Sequence, residues 1–161
     1  MSAVISADQK YRYLLGREWI FSSDQVFTAT ACVFVMLNPS TADAELNDRT
    51  ITRCIGYATR WGYGILQVVN LFAYRATDPD ELVTAIDPVG PDNRIYLEDT
   101  IINGGLVVAA WGAHHMAKRQ AFEYRDILTA RPMVALGYNK DNSPKHPLYV
   151  RGDVEPIEWT P

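Results

Sequence analysis

Apolar and polar positions alternate along this chain in blocks rather than at one fixed period. Residues 11–19 and 25–30 mix aromatic and β-branched side chains, the pattern of an N-terminal strand or hairpin. Residues 31–37 form an unbroken apolar run that stops at Asn38-Pro39-Ser40. A run of that length suits a strand covered on both faces, as in a parallel sheet between helices. From residue 48 to 63 the period changes: Ile51, Cys54, Ile55, Ala58 and Trp61 recur at helical spacing, with Asn47 or Asp48 as cap. Residues 65–71 give the second buried strand. Asp78-Pro79-Asp80-Glu81 opens a short helix, with a capping carboxylate and proline at its first position. A further helix follows Gly90-Pro91 to about residue 103. Residues 105–111 form the third strand, 114–130 a longer helix and 132–136 the fourth strand, before a loop over 137–147 and a short tail.

Strands alternating with helices at this spacing predict an α/β fold. The expected form is a three-layer α/β/α sandwich with a mainly parallel central sheet and right-handed crossovers. No linker or composition shift divides the chain, so residues 1–161 read as a single domain. Hydrophobic residues make up 48% and charged residues 21%, which is ordinary globular usage. The N-terminus lacks the basic start and apolar stretch of a signal peptide, and every apolar run is too short to span a bilayer. Cys32 and Cys54 lie inside apolar runs with no metal-ligand spacing, so they read as buried thiols in a reducing compartment. A cytoplasmic protein with no membrane partner is expected.

Charge narrows the partners. The net charge is −4 and the only lysines are Lys10, Lys118, Lys140 and Lys145. A broad basic face for gripping duplex DNA is therefore not expected. Any nucleic-acid contact falls to arginines grouped on one edge.

Ligands of open α/β sheets bind beyond the carboxyl ends of the strands, where strand order reverses. The segments expected there are Asn38-Pro39-Ser40-Thr41-Ala42-Asp43 with Asp48 and Arg49, then Asn70 with Phe72, Tyr74 and Arg75. Trp111-Gly112-Ala113-His114-His115, Gly137-Tyr138-Asn139-Lys140 and Lys145-His146-Pro147-Leu148-Tyr149 follow. Amides read the edge of a base, rings stack on its face and arginine pairs with phosphate. Each also has a plainer reading as a turn, a cap or a packing residue. His114 and His115 lack the i, i+4 spacing of a zinc pair, and no metal or cofactor is expected. Glycine-rich phosphate loops and a GxSxG nucleophile elbow are absent from the sequence.

The strings Met36-Leu37-Asn38-Pro39-Ser40-Thr41-Ala42-Asp43, Asp48-Arg49-Thr50, Asn70-Leu71-Phe72-Ala73-Tyr74-Arg75, Trp111-Gly112 and His146-Pro147-Leu148-Tyr149 resemble a family of bacterial and phage proteins, domain of unknown function 1643. Leu37-Asn38-Pro39, Asn70 to Arg75, Ala110-Trp111-Gly112 and His146-Pro147-Leu148 are more distantly similar, in the same order, to motifs of the uracil-DNA glycosylase superfamily, mismatch-specific branch. Met36, Ser40 and Leu148 replace residues of those motifs.

That second resemblance implies a glycosylase-like fold and N-glycosidic hydrolysis of a base or modified base. Asn38 and His146 would be catalytic, the first positioning water and the second stabilising the departing base. Pro39, Ser40, Thr41, Asp43, Asp48, Arg49, Asn70, Phe72, Tyr74, Arg75, Trp111 and Lys145 would bind substrate. The partner would be a nucleobase, nucleotide or DNA. The alternative is a non-catalytic nucleotide- or partner-binding module on the same fold. The oligomeric state is left open.

Overall fold

The computed structural model describes residues 1–19, 28–40 and 46–160. Among them, seven strands form one mixed sheet in the order β1-β2-β4-β3-β5-β6-β7. Its centre comes from the buried runs: β3 (Cys32–Met36), β4 (Ile65–Asn70), β5 (Leu106–Ala109) and β6 (Met133–Ala135). The ladders β3–β4, β3–β5 and β5–β6 are parallel. Antiparallel ladders add β2 (Arg12–Glu18) and β1 (Ser2–Ile5) at one edge and β7 (Ile157–Trp159) at the other.

The connections place helices on both faces. From β3 the chain crosses to β4 on one side, then returns past β3 to β5 and on to β6. Crossovers of one hand therefore put the first helix on one face and the later ones on the other. The first is α1 (Arg49–Arg60), whose Ile51, Cys54, Tyr57 and Ala58 pack against Cys32, Phe34, Leu66 and Val68. Burying a side chain such as Ile51 stabilises the fold by roughly 1.5–3 kcal/mol. The opposite cluster joins Val33, Val35, Val69 and Ala109 to Leu97 and Ile101 of α3 (Asn93–Asn103), Ala117 of α4 (His115–Glu123) and Ile127 and Leu128 of α5 (Arg125–Leu128). The short α2 (Glu81–Thr84) adds Leu82 to it.

Three features depart from expectation. β1 pairs with β2, so residues 2–5, where no strand was expected, form a hairpin with β2; residues 20–27, which hold part of the strand expected over 25–30, lie outside the described part, and Thr28 bridges Tyr63. β7 forms where a tail was expected. Both edge strands are mostly half-buried or exposed and held by backbone bonds, so neither leaves an apolar run in the sequence. The helix expected over 114–130 is two helices meeting at Tyr124 (φ −101°, ψ 13°), while its apolar stripe continues unbroken into the core. No helix among the described residues is long and apolar enough to cross a membrane. Cys32 and Cys54 are fully buried free thiols, and burial pushes both thiols up in pKa.

Candidate functional site

The strand order turns around at β3, so the loops leaving β3 and β5 depart towards opposite faces. Such a divergence is where open α/β sheets take ligands. At this edge Asn38 follows β3, Asn70 ends β4, Ser40 reaches Asp48, and Gly112 lies against His146.

Asn70 ends β4 opposite Met36 of β3. Side chains alternate along a strand, and Leu66 and Val68 lie in the α1-side cluster, so Asn70 enters that same face. It is 1% exposed, and neither its Nδ2 nor its Oδ1 has a hydrogen-bond partner among the described residues. Leaving a buried amide unmet costs about 1–3 kcal/mol. Its backbone carbonyl, in contrast, accepts from Asn93 Nδ2 at 3.0 Å.

Asn38 follows β3. Its Nδ2 donates to Pro39 O at 3.1 Å and to Ala76 O at 2.9 Å, and Ala76 N returns a bond to Pro39 O at 3.0 Å. The β3 and β4 exits are thereby stitched together. The Asn38 Oδ1 takes no protein donor among the described residues and remains an open acceptor. Thr41 and Asp43 lie outside the described residues.

Asp48 caps α1, its Oδ1 accepting from Ile51 N at 2.8 Å, while Ser40 Oγ donates to Oδ2 at 2.6 Å. Ser40 thus buttresses the cap residue and does not cap α1 itself. Both Asp48 oxygens are engaged, which leaves it poorly placed to act as a general base.

His146 is brought to this edge by a loop folded back on itself. Tyr138 bridges Pro144, Lys145 N donates to Gly137 O at 2.9 Å, and Gly112 N donates to Pro144 O at 3.0 Å. Gly112 has φ +78°, and a Cβ there would lie 3.4 Å from the His146 Cβ. Leu148 N donates to His146 Nδ1 at 3.4 Å in the single 3-10 turn Pro147–Tyr149. That bond places the neutral ring's proton on Nε2. Burial lowers the His146 pKa, opposed by the Asp48 carboxylate nearby. The ring is therefore a neutral N–H donor at pH 7.

Beyond Asp48 a cleft of about 850 Å³ runs along α1, lined by Arg49, Arg53 and Arg60 on one side and Leu148, Tyr149 and Gly152 on the other. Arg53 Nη2 donates to Val150 O at 3.1 Å, and Tyr57 Oη donates to Arg151 O at 2.8 Å, fixing the far wall. Of the residues expected to bind substrate, only Asp48 and Arg49 line this cleft.

Others are placed elsewhere. Phe72 is 2% exposed inside the cluster on the face opposite α1, and Tyr74 packs against that cluster with its ring edge-on to Tyr11. Trp111 lies in the same cluster, perpendicular to Trp159, and borders a separate cavity of about 640 Å³. For all three the packing reading describes the geometry. Arg75 donates to Gln9 O at 3.2 Å, and Lys145 serves the loop through its backbone.

Two residues were not singled out in the sequence. Asn93 is fully buried and its Nδ2 ties the carbonyls of Asn70 and Leu71. Arg17, 3% exposed in β2, donates to Asn47 Oδ1 at 2.6 Å and to Leu46 O at 3.1 Å, holding the approach to α1. Arg12 is equally buried in the same strand. The available signal was two cations flanking the apolar stretch Tyr13-Leu14-Leu15 of one strand, which demands partners where they are buried.

No curated protein and no solved structure matches the chain. A family model does match, over residues 12–148, and its span takes in β2 to the His146 loop. On that match the chain belongs to the family described as Protein of unknown function (DUF1643).

Proposed function

We propose that this protein hydrolyses the N-glycosidic bond of a nucleobase, in a nucleotide or in DNA, at the α1-side edge of its sheet. The observation carrying the proposal is Asn70: a fully buried amide whose donor and acceptor are both unmet among the described residues. The hydrogen-bonding edge of a base offers the complement to both. Asn38, anchored through Nδ2, presents Oδ1 to a water. That water's oxygen bonds to the sugar carbon as the bond to the base nitrogen breaks, the electron pair leaving with the base. His146 Nε2–H faces the developing negative charge and stabilises it. The water's surplus proton passes to solvent. Arg49, Arg53 and Arg60 along the adjoining cleft suit the phosphates of the substrate. Tyr149, exposed and 5.8 Å from the His146 ring, supplies a stacking surface that Phe72 and Tyr74 do not.

The finer fold assignment, a glycosylase-like sandwich with a mainly parallel core, belongs to the same proposal, as does a cytoplasmic setting. The fold assignment draws support from the motif order along the chain and from four parallel central strands, and the cytoplasmic setting from two buried free thiols. A second reading, binding without turnover, is favoured by one observation: Asp48, the carboxylate beside Ser40 and His146, has both oxygens occupied. An asparagine is no strong base, so the enzyme reading predicts slow turnover.

The test is base release. Purified protein is incubated with single- and double-stranded DNA carrying uracil, mismatched thymine or modified bases, and with free nucleotides. Release by the wild type that is lost in Asn38→Ala supports hydrolysis. No release from any substrate, with a nucleotide still raising Tm, replaces it with the binding module.

A further inference from the structure

On the other face of the same sheet edge, the loop after β4 meets the start of α4. Asp80, just before α2, lies with its Oδ1 3.3 Å from His114 Nε2. The ring of His115 is 4.4 Å from that of His114, centroid to centroid. One ligand atom from each of the three residues lies within 4.8 Å of the others. We infer that Asp80, His114 and His115 form a binding site for a divalent transition-metal ion of the zinc type.

Donor chemistry selects the ion. Two imidazoles and one carboxylate suit zinc and its first-row neighbours, whereas magnesium and calcium prefer all-oxygen sites. Geometry agrees for the first pair. Two ligands held about 2.0–2.1 Å from one ion at a tetrahedral angle are about 3.3 Å apart, the Asp80–His114 separation. The third ligand has to close inward, and His115 is free to do so: its ring is exposed and makes no hydrogen bond among the described residues. Three protein ligands leave one position of a tetrahedron open to water.

Binding alters one contact. His114 Nδ1 accepts from Met116 N at 3.4 Å as the cap of α4. An ion on Nε2 moves the ring proton to Nδ1, which releases that long bond. The freed amide sits in the first helical turn, where amides have no intrahelical partner and water takes them. Lacking an acceptor behind His114, the site is weaker than one with a full second layer of hydrogen bonds. Sequence spacing conceals it, because the ligands are two neighbours and a residue 34 positions away.

The experiment titrates ZnCl2 into chelator-treated protein by isothermal calorimetry, with MgCl2 as contrast. One Zn2+ per chain is expected, with no comparable heat from Mg2+. Asp80→Ala and His115→Ala alter exposed side chains and should stay folded; each should weaken Zn2+ binding roughly tenfold or more. Zn2+ should raise the Tm of the wild type but not of these variants. The chain has three histidines, so His146→Ala serves as the control and should bind Zn2+ as the wild type does. Absence of stoichiometric Zn2+ binding overturns the inference. So does affinity that survives either Asp80→Ala or His115→Ala, or affinity lost in His146→Ala.

Discussion

Asn70 and Asn93 are both buried asparagines at the same strand end, yet among the described residues Asn93 leaves only its Oδ1 without a partner, whereas Asn70 leaves both its amide atoms unmet. Asn93, on the α3 side, spends its Nδ2 on the carbonyls of Asn70 and Leu71, at 3.0 and 3.2 Å. Asn70, on the α1 side, spends its amide on nothing among the described residues. One face of the edge is closed by a staple that finishes the strand. The other carries an amide whose desolvation the fold does not offset. Buried polar groups are nearly always hydrogen-bonded, and the doubly unmet amide of Asn70 is the exception on which the proposed ligand site rests. Aromatic residues divide the same way: Phe72 and Trp111 fill the closed side, while Tyr149 stands exposed near the open one.

If that contrast is right, Asn93→Ala is the most damaging change. It strands two carbonyls in the interior and should lower stability by about 2–3 kcal/mol in urea unfolding. Gly112→Ala comes next. A side chain at φ +78° is strained and would touch the His146 Cβ, so a loss of about 1–2 kcal/mol is expected, with shifted imidazole resonances in NMR. Removing the α1 cap with Asp48→Ala should cost about 1 kcal/mol and release the Ser40 hydroxyl. Asn70→Leu should hold stability within about 0.5 kcal/mol of wild type or raise it, because it removes an unmet polar group at similar volume. A loss as large as that of Asn93→Ala would erase the distinction between the two residues.

The smallest effect concerns pH. His146 has its pKa lowered by burial from 6.5. The folded state then resists protonation, so the contribution is present above pH 6.5 and is lost as pH falls through the folded value. Stability measured against pH should decline on acidification in the wild type, and less steeply in His146→Gln.

Much of this edge could be read before any coordinates. Residues 31–37 and 65–71 announce buried central strands because a strand covered on both faces must be apolar throughout. Asp48 announces a cap because its neighbours switch to helical spacing. Asn38, Asn70 and His146 were placed at one end of the sheet by the rule that strand exits carry function. Hidden were β1 and β7, whose backbone pairing at half-covered edges leaves no period, and Asn93, whose side chain acts on backbone carbonyls. The roles of Phe72 and Trp111 were equally hidden, since ring packing and ring stacking on a ligand use the same residues. Asp80 and His114 meet only through the tertiary fold.

The most direct test of the open Asn70 edge is affinity for free bases, nucleosides and nucleotides, measured by calorimetry on wild type and Asn70→Leu. The account predicts that at least one base-bearing ligand binds the wild type. It also predicts that Asn70→Leu, folded and as stable, binds that ligand at least about tenfold more weakly, a change of about 1.4 kcal/mol. Equal binding by the two proteins, or no binding of any such ligand, would contradict it.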